Sequence, residues 1–109
     1  MASREVIFSP QAERDIKGLS KQTQRLAVSA LENWAAGKGR QETEKIKSQP
    51  DFFRLKAGCL RFIYYPLSRE RVLVLMIRDR KDAYRNLEAL PTKLETAMTR
   101  LKLIDEKRA

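Results

Sequence analysis

Histidine is absent from the 109-residue sequence, and cysteine occurs only once, as Cys59. Without histidine, the chain lacks the usual metal ligand and the usual general acid or base of enzymes. A single cysteine can form neither an internal disulfide nor a cysteine-based zinc site, which is typical of an intracellular protein. Any catalysis must use lysine, arginine, tyrosine or carboxylate side chains, and we expect no metal and no other cofactor.

Long apolar stretches are missing as well. The longest run covers residues 72–77, far fewer than the roughly 20 residues that cross a bilayer. Residues 1–9 contain no apolar segment of a signal peptide. We therefore expect a cytoplasmic protein without a membrane partner. Glycine-rich phosphate loops and metal-ligand spacings are also absent, so no short motif marks an enzyme.

Acidic residues are fewer than basic ones, 14 against 23, which gives a formal net charge of +9. Such an excess on one small domain attracts polyanions, most often nucleic acid and less often an anionic membrane surface. The excess is concentrated between residues 45 and 85, which hold eleven basic and four acidic side chains. This uneven distribution favours a nucleic-acid partner over a surface that is merely well solvated.

The N-terminal third predicts a strand followed by a helical hairpin. A β-branched and aromatic run at Glu5–Phe8 predicts the strand. Ser9 is a good N-cap and Pro10 suits a first helical position, so a short helix begins there. Ser20 is the expected cap of a second, amphipathic helix, which ends at Gly37.

Three closely spaced strands are predicted next, over residues 52–56, 60–65 and 71–77. Strands this close in sequence pair as an antiparallel meander. The continuous apolar run of the last one indicates burial on both faces. Residues 45–47 either begin another strand or lie across the sheet. We expect the helices to cover one face of this sheet and to leave the other free for a ligand.

A C-terminal helix is predicted from Pro91 onwards. Its apolar residues recur at helical spacing: Leu94, Met98, Leu101 and Ile104. This narrow apolar stripe either packs on the chain's own sheet or binds a partner, and both possibilities remain open. We divide the α+β chain into a main domain, residues 1–90, and a helical extension of the same domain, residues 91–109.

Basic residues are expected to cluster on one face of the sheet. Side chains two apart on a strand share a face, so Arg54 and Lys56 point the same way, and Arg61 on the next strand reaches the same face. Arg80 and Tyr84 follow the last strand and close one edge. Arginine binds phosphate oxygens through paired hydrogen bonds and lysine supplies a point charge, so the cluster indicates a phosphate site. Tyr84 either acts on a nucleic acid or fills the core.

Three segments carry a resemblance to a known family. The sequence R-L-K-A-G-C-L-R-F-I-Y at residues 54–64 resembles the R-L-R-x-G-x-Y-R-V-I-Y stretch of RelE/ParE superfamily toxins. R-K-D-A-Y-R at residues 80–85 resembles their H-R-K-D-V-Y-R stretch, and F-S-P-Q-A at residues 8–12 is similar to their F-S-P-x-A opening. The three stand in the family's order and cover about residues 6–85.

This resemblance implies a fold, a function and partners. The family fold is a helical hairpin packed on a small, mainly antiparallel sheet, and its members are toxins of bacterial toxin–antitoxin pairs. RelE-like members cleave mRNA on the ribosome, whereas ParE-like members poison DNA gyrase and lack the basic catalytic set. A cognate antitoxin wraps the toxin, so the implied partners are an antitoxin, in a possible hetero-oligomer, and mRNA with the ribosome.

The resemblance also implies roles for single residues in a metal-independent endoribonuclease. In this hypothesis the RNA 2′-OH attacks the adjacent phosphorus and leaves a cyclic phosphate. Lys56 helps to deprotonate the 2′-OH, and Arg61 and Arg80 stabilise the charge that develops on the phosphorane. Tyr84 stacks on a base or assists the leaving group. The expected substrate-binding set comprises Arg54, Lys45, Lys47, Arg78 and Lys81.

Two other functions remain open: a ParE-like gyrase inhibitor without enzymatic activity, and a non-catalytic module whose nucleic-acid affinity falls steeply with salt. The retained basic set argues against the gyrase inhibitor. The chain departs from the family where Arg78 and Asp79 replace a frequent Gly-His and where Leu60 replaces a frequent aromatic residue. A mechanism based on histidine is therefore excluded.

Overall fold

The computed structural model describes residues 4–38, 42–83 and 85–102. Its elements in chain order are β1 (Glu5–Phe8), α1 (Pro10–Lys17), α2 (Lys21–Ala35), β2 (Glu42–Lys45), β3 (Phe53–Ala57), β4 (Leu60–Pro66), β5 (Arg71–Asp79) and α3 (Leu90–Arg100), with a 3-10 turn at Leu87–Ala89 before the last helix. The expected α+β class is confirmed. No helix in the described ranges has the length and apolar character that crossing a membrane requires.

The five strands form one sheet in the order β1-β5-β4-β3-β2. β1 pairs in parallel with β5, and the other neighbours pair antiparallel, which confirms the predicted meander. β2 was not expected at residues 42–45. Its sequence, E-T-E-K, has no apolar residue to indicate a strand, and charged residues of this kind are common on sheet edges. Only Lys45 of the segment 45–47 belongs to it, and Ile46 is buried beside it.

Both predicted helix starts in the hairpin are confirmed. The Ser9 side chain accepts a hydrogen bond from the Ala12 amide at 3.0 Å and caps α1. Its hydroxyl also donates to the Leu75 carbonyl at 2.9 Å, which ties the start of α1 to β5. Ser20 caps α2 by accepting from the Thr23 amide at 3.2 Å.

Helices cover both faces of the sheet, so the prediction of one free face was wrong. α1 and α2 pack on one face, and α3 packs on the other by burying its apolar stripe. The buried residues of α3 are Leu90, Leu94, Ala97 and Met98. β5 is apolar on both sides and therefore needs a cover on each. α3 thus packs on the chain's own sheet, while Ile104 lies outside the described residues.

Candidate functional site

Three basic side chains form a row across the sheet, which we call the basic row: Lys56, Arg61 and Arg78. Lys56 of β3 pairs with Arg61 of β4, and Arg61 pairs with Arg78 of β5. Directly paired residues of antiparallel strands have Cα atoms about 5 Å apart, so the row spans roughly 10 Å. Leu55 and Phe62 pack against the helical hairpin, so their neighbours in the row project from the opposite face. All three are partly exposed, so α3 leaves this end of its face open.

A β-bulge aligns the row. The register of β4 and β5 shifts between Ile63 and Tyr64, because Ile63 pairs with Met76 whereas Tyr64 pairs with Val74. Leu75 is the extra residue on β5, and both Leu75 and Met76 face α3. Without this insertion, the alternation of side chains would turn the last residues of β5 to the other face.

The turn between β3 and β4 connects the row to Arg80. Gly58 has φ of 58°, a left-handed conformation that favours glycine. The backbone amide of Arg80 donates to the Cys59 carbonyl at 2.8 Å. Nη1 of Arg61 donates to the Gly58 and Leu60 carbonyls at 2.9 and 2.8 Å. Both arginines are therefore held at the same turn, and the Arg80 side chain is exposed there.

Arg54 lies on the same face of β3, two residues before Lys56. It is buried, with 5% of its surface exposed. Its Nη2 forms an ion pair with Oε1 of Glu44 at 2.5 Å. Oε2 of the same carboxylate lies 3.5 Å from Nζ of Lys56. The hydrogen bond from Arg54, followed by its charge and by the charge of Lys56, lowers the pKa of the Glu44 carboxyl below its ordinary value. Part of the positive charge of the cluster is therefore balanced within the protein.

Glu44 was not among the residues expected from the sequence. It pairs with Arg54 across the β2–β3 ladder, and Glu42 pairs with Lys56 in the same way. The signal that could have found it is the alternation of two glutamates, which matches the alternation of Arg54 and Lys56 on β3. That signal has meaning only when residues 42–45 are recognised as a strand.

The remaining expected site residues are distributed unevenly. Lys81 is exposed directly after Arg80, in the turn that follows β5. Lys45 pairs with Phe53 at the far end of β3 and projects towards the hairpin face, and Lys47 is exposed in the next turn. These two lysines are therefore not brought together with the basic row. Tyr84 lies outside the described residues.

The arrangement suits binding of a phosphodiester. Guanidinium groups bind phosphate oxygens in pairs, and they also stabilise negative charge that develops there during a reaction. The basic row and Arg80 present four cationic side chains along one end of the sheet. Nε of Arg61 is buried and has no hydrogen-bond partner among the described residues.

Comparison with known proteins gives a likeness of structure only. No family model matches the sequence, and no curated protein matches it. A chain of the toxin–antitoxin complex RelBE2 from Mycobacterium tuberculosis has a TM-score of 0.58 and 19% identity over 75% of this chain and 97% of that one. A chain of the archaeal RelE–RelB complex from Pyrococcus horikoshii has a TM-score of 0.56 and 20% identity, over 76% and 100%.

A third match is a chain of the RelB–RelE antitoxin–toxin complex from Methanococcus jannaschii, with a TM-score of 0.55 and 15% identity over 74% of this chain and 98% of that one. Identities this low establish the fold and nothing more. The resemblance inferred from three short segments is therefore confirmed as a likeness of architecture. The chain has a fold like that of chains in RelE–RelB toxin–antitoxin complexes.

Proposed function

We propose that this chain is the cytoplasmic toxin of a toxin–antitoxin pair and that it cleaves mRNA on the ribosome. The observation that carries the proposal is the basic row, with Arg80 held at its end by the β3–β4 turn. The likeness to chains of RelE–RelB complexes supports the toxin role and a cognate antitoxin as protein partner.

The proposed reaction needs no metal. The 2′-oxygen of one nucleotide forms a bond to the adjacent phosphorus, and the bond from phosphorus to the 5′-oxygen of the next nucleotide breaks. The products are a 2′,3′-cyclic phosphate and a 5′-hydroxyl. Lys56 accepts the 2′-proton in its neutral amine form. The leaving 5′-oxygen takes a proton from Tyr84 or, if Tyr84 stacks on a base instead, from water. Arg61 and Arg80 stabilise the phosphorane.

The other basic residues have supporting roles in this proposal. Arg78, at the end of the basic row, and the exposed Lys81 bind the phosphates next to the one that is cleaved. Arg54 acts through its ion pair with Glu44, because the same carboxylate contacts the Lys56 side chain, two residues along β3, and helps to position it. Lys45 and Lys47 lie at the other end of β3 and would meet only a distant part of a long RNA or ribosomal RNA.

The first experiment is induction of the protein in bacteria, with pulse labelling of protein and DNA synthesis. We expect protein synthesis to stop first. The double variant Arg61→Ala, Arg80→Ala should leave it unaffected while the variant protein remains folded. The matched control is Lys21→Ala, Arg25→Ala, which removes the same charge from exposed positions on α2 and should still stop protein synthesis.

Each alternative has its own outcome in this experiment. Earlier arrest of DNA synthesis would replace the ribonuclease with a gyrase inhibitor. No arrest of either process would leave a non-catalytic nucleic-acid-binding module. Full toxicity of the Arg61→Ala, Arg80→Ala variant would overturn the assignment of the site.

The chemistry has a separate test on programmed ribosomes with purified protein. Cleaved mRNA should carry a 2′,3′-cyclic phosphate on one fragment and a 5′-hydroxyl on the other. An mRNA with a single 2′-O-methyl group at the cleaved nucleotide should resist cleavage at that position, because the attacking hydroxyl is blocked. Cleavage at the methylated nucleotide would contradict attack by the 2′-OH.

A further inference from the structure

A groove separate from the basic row lies between α1 and α3. Its volume is about 360 Å³. β1 pairs only with residues 71–74 of β5, so the following part of β5 is not covered by β1. Leu75 of this part contributes to the groove, together with residues of α1 on one side and residues of α3 on the other.

The groove is lined by basic residues and by no acidic one. Its lining includes Arg14 of α1, Lys93 and Arg100 of α3, and the two threonines Thr92 and Thr96. None of the three basic side chains forms an ion pair with a carboxylate of residues 4–38, 42–83 or 85–102. An uncompensated concave cluster of three cations attracts an anion more strongly than the same charges spread over a convex surface.

A second groove, on the outer side of the hairpin, differs in this respect. It lies between α1 and α2 and is lined by Arg25 together with Glu32. Its charges are of both signs, and it therefore offers no preference for an anion. The accumulation of positive charge is a property of the α1–α3 groove and does not follow simply from the net charge of the chain.

The groove adjoins the basic row along β5. Leu75 faces α3, and Arg78 projects from the same face three residues further on, about 10 Å away at the usual rise of a strand. α1 runs beside β5 in this direction, because Ser9 bonds to Leu75 and the Asp15 carboxylate accepts from the Ile77 amide at 2.9 Å. Arg14, next to Asp15 in α1, therefore lies at about the level of Ile77 along β5, one residue before Arg78.

We propose that the α1–α3 groove is a second anion-binding surface, which holds phosphodiesters of the RNA strand next to the phosphate bound at the basic row. The inference rests on the proposed function, because the groove would bind the same RNA whose reactive phosphate lies at the basic row. RNA carries a phosphate at every nucleotide, so a strand fixed at Arg78 delivers further phosphates within reach of Arg14, Lys93 and Arg100. An acidic protein segment would also match the charge of the groove, but nothing about the basic row would bring such a segment there.

The test uses RNA oligonucleotides that are 2′-O-methylated throughout and therefore cannot be cleaved by attack of the 2′-OH. One has about three nucleotides and the other about twelve, which lies within the range of single-strand binding sites. Fluorescence anisotropy gives the dissociation constants over a series of salt concentrations. The variants are Arg14→Ala, Lys93→Ala, Arg100→Ala and a control with the same charge loss, Lys21→Ala, Arg25→Ala, Arg69→Ala, at exposed positions outside the groove and the row.

For the longer RNA, the groove variant should reduce the slope of log affinity against log salt by about 2, since each lost phosphate contact contributes about 0.7 for a single strand. The control should reduce it by much less. For the shorter RNA, which occupies the basic row alone, the two variants should behave alike. A further variant, Arg14→Lys, Arg100→Lys, keeps the charge and should retain most of the slope.

Equal losses in the groove variant and the control would overturn the proposal, because net charge would then explain the binding. An unchanged slope in the groove variant would overturn it as well. A third outcome is that a glutamate-rich peptide binds the unmodified chain but not the groove variant, and that the groove variant binds RNA as well as the unmodified chain does. This outcome would assign the groove to a protein partner instead. The pulse-labelling experiment tests the ribonuclease proposal separately. If that proposal fails, the salt dependence of RNA binding still shows whether the groove binds RNA.

Discussion

Glu44 decides the charge balance of the site at the scale of single residues. Its carboxylate bridges the buried guanidinium of Arg54 and the ammonium of Lys56. A buried charge is costly unless it is paired, so the edge strand supplies the partner that allows Arg54 to lie inside the sheet. Lys56 remains at the surface, partly exposed, in the row with Arg61.

This arrangement predicts a pH-dependent stability. The hydrogen bond from Arg54, and then its charge, lower the pKa of Glu44 from its ordinary value of 4.5. A lowered pKa in the folded state contributes stability that is present above the unfolded value and is lost as the pH falls through the folded value. We therefore expect Glu44→Gln to lower the free energy of unfolding at neutral pH and to have little effect in strongly acidic solution, as measured by urea denaturation.

Glu42→Gln is the matched control for this experiment. Glu42 lies on the same strand and is exposed, and it forms no ion pair with a described residue. Its substitution should change the free energy of unfolding by no more than about 0.5 kcal/mol, the usual range for surface positions. A deficit in Glu44→Gln that stays constant down to acidic pH would contradict the ion-pair explanation.

α3 is the element whose position matters most for the site. It covers the part of the sheet formed by Leu73, Leu75 and Met76 and leaves the basic row open. Its far side forms one wall of the groove with α1. The helix therefore limits the exposed face to a strip at one end of the sheet and adds basic residues beside that strip.

The packing of α3 on the sheet can be tested by measuring the free energy of unfolding. Leu94 is 5% exposed in the core beneath α3, whereas Leu26 on α2 is 48% exposed. Leu94→Ala should lower the free energy of unfolding by about 2–4 kcal/mol, since it leaves a cavity in a packed core. Leu26→Ala, the same chemical change at an exposed position, should cost less than about 1 kcal/mol. Equal losses in urea denaturation would mean that α3 does not pack on the sheet in solution.

The whole molecule presents its excess charge unevenly. The basic row with Arg80 and the α1–α3 groove together hold seven cations, and they adjoin along β5. Arg71, which lies outside both regions, is paired with the Glu5 carboxylate. A polyanion is therefore attracted to one side of the protein, where both the proposed reactive site and the groove lie.

The number of cations engaged at once predicts the salt dependence of RNA binding. Seven contacts, at about 0.7 each for a single strand, give a slope of log affinity against log salt of about −5 for the longer methylated RNA. The basic row and Arg80 alone would give about −3. A slope near −3 would mean that binding is confined to the row. A slope near zero would contradict electrostatic recognition of RNA altogether.

Several features of this protein were determined by the sequence itself, because their signals are local. Ser9 and Ser20 cap helices through contacts three residues away, and the apolar run of β5 requires a central strand whatever its neighbours are. The concentration of basic residues between positions 54 and 61 was equally evident from the sequence. These patterns depend on chain neighbours and periodicity, so no knowledge of pairing was needed.

Only the tertiary structure decided which residues meet. The polar strand β2 exists because β3 offers it a ladder, and this pairing alone brings Glu44 to Arg54 and Lys56. The bulge in β5 sets Arg78 opposite Arg61, and the placement of α3 opposite the hairpin creates the groove. Each of these depends on register and packing between segments distant in sequence, where a shift of one residue turns a side chain to the other face.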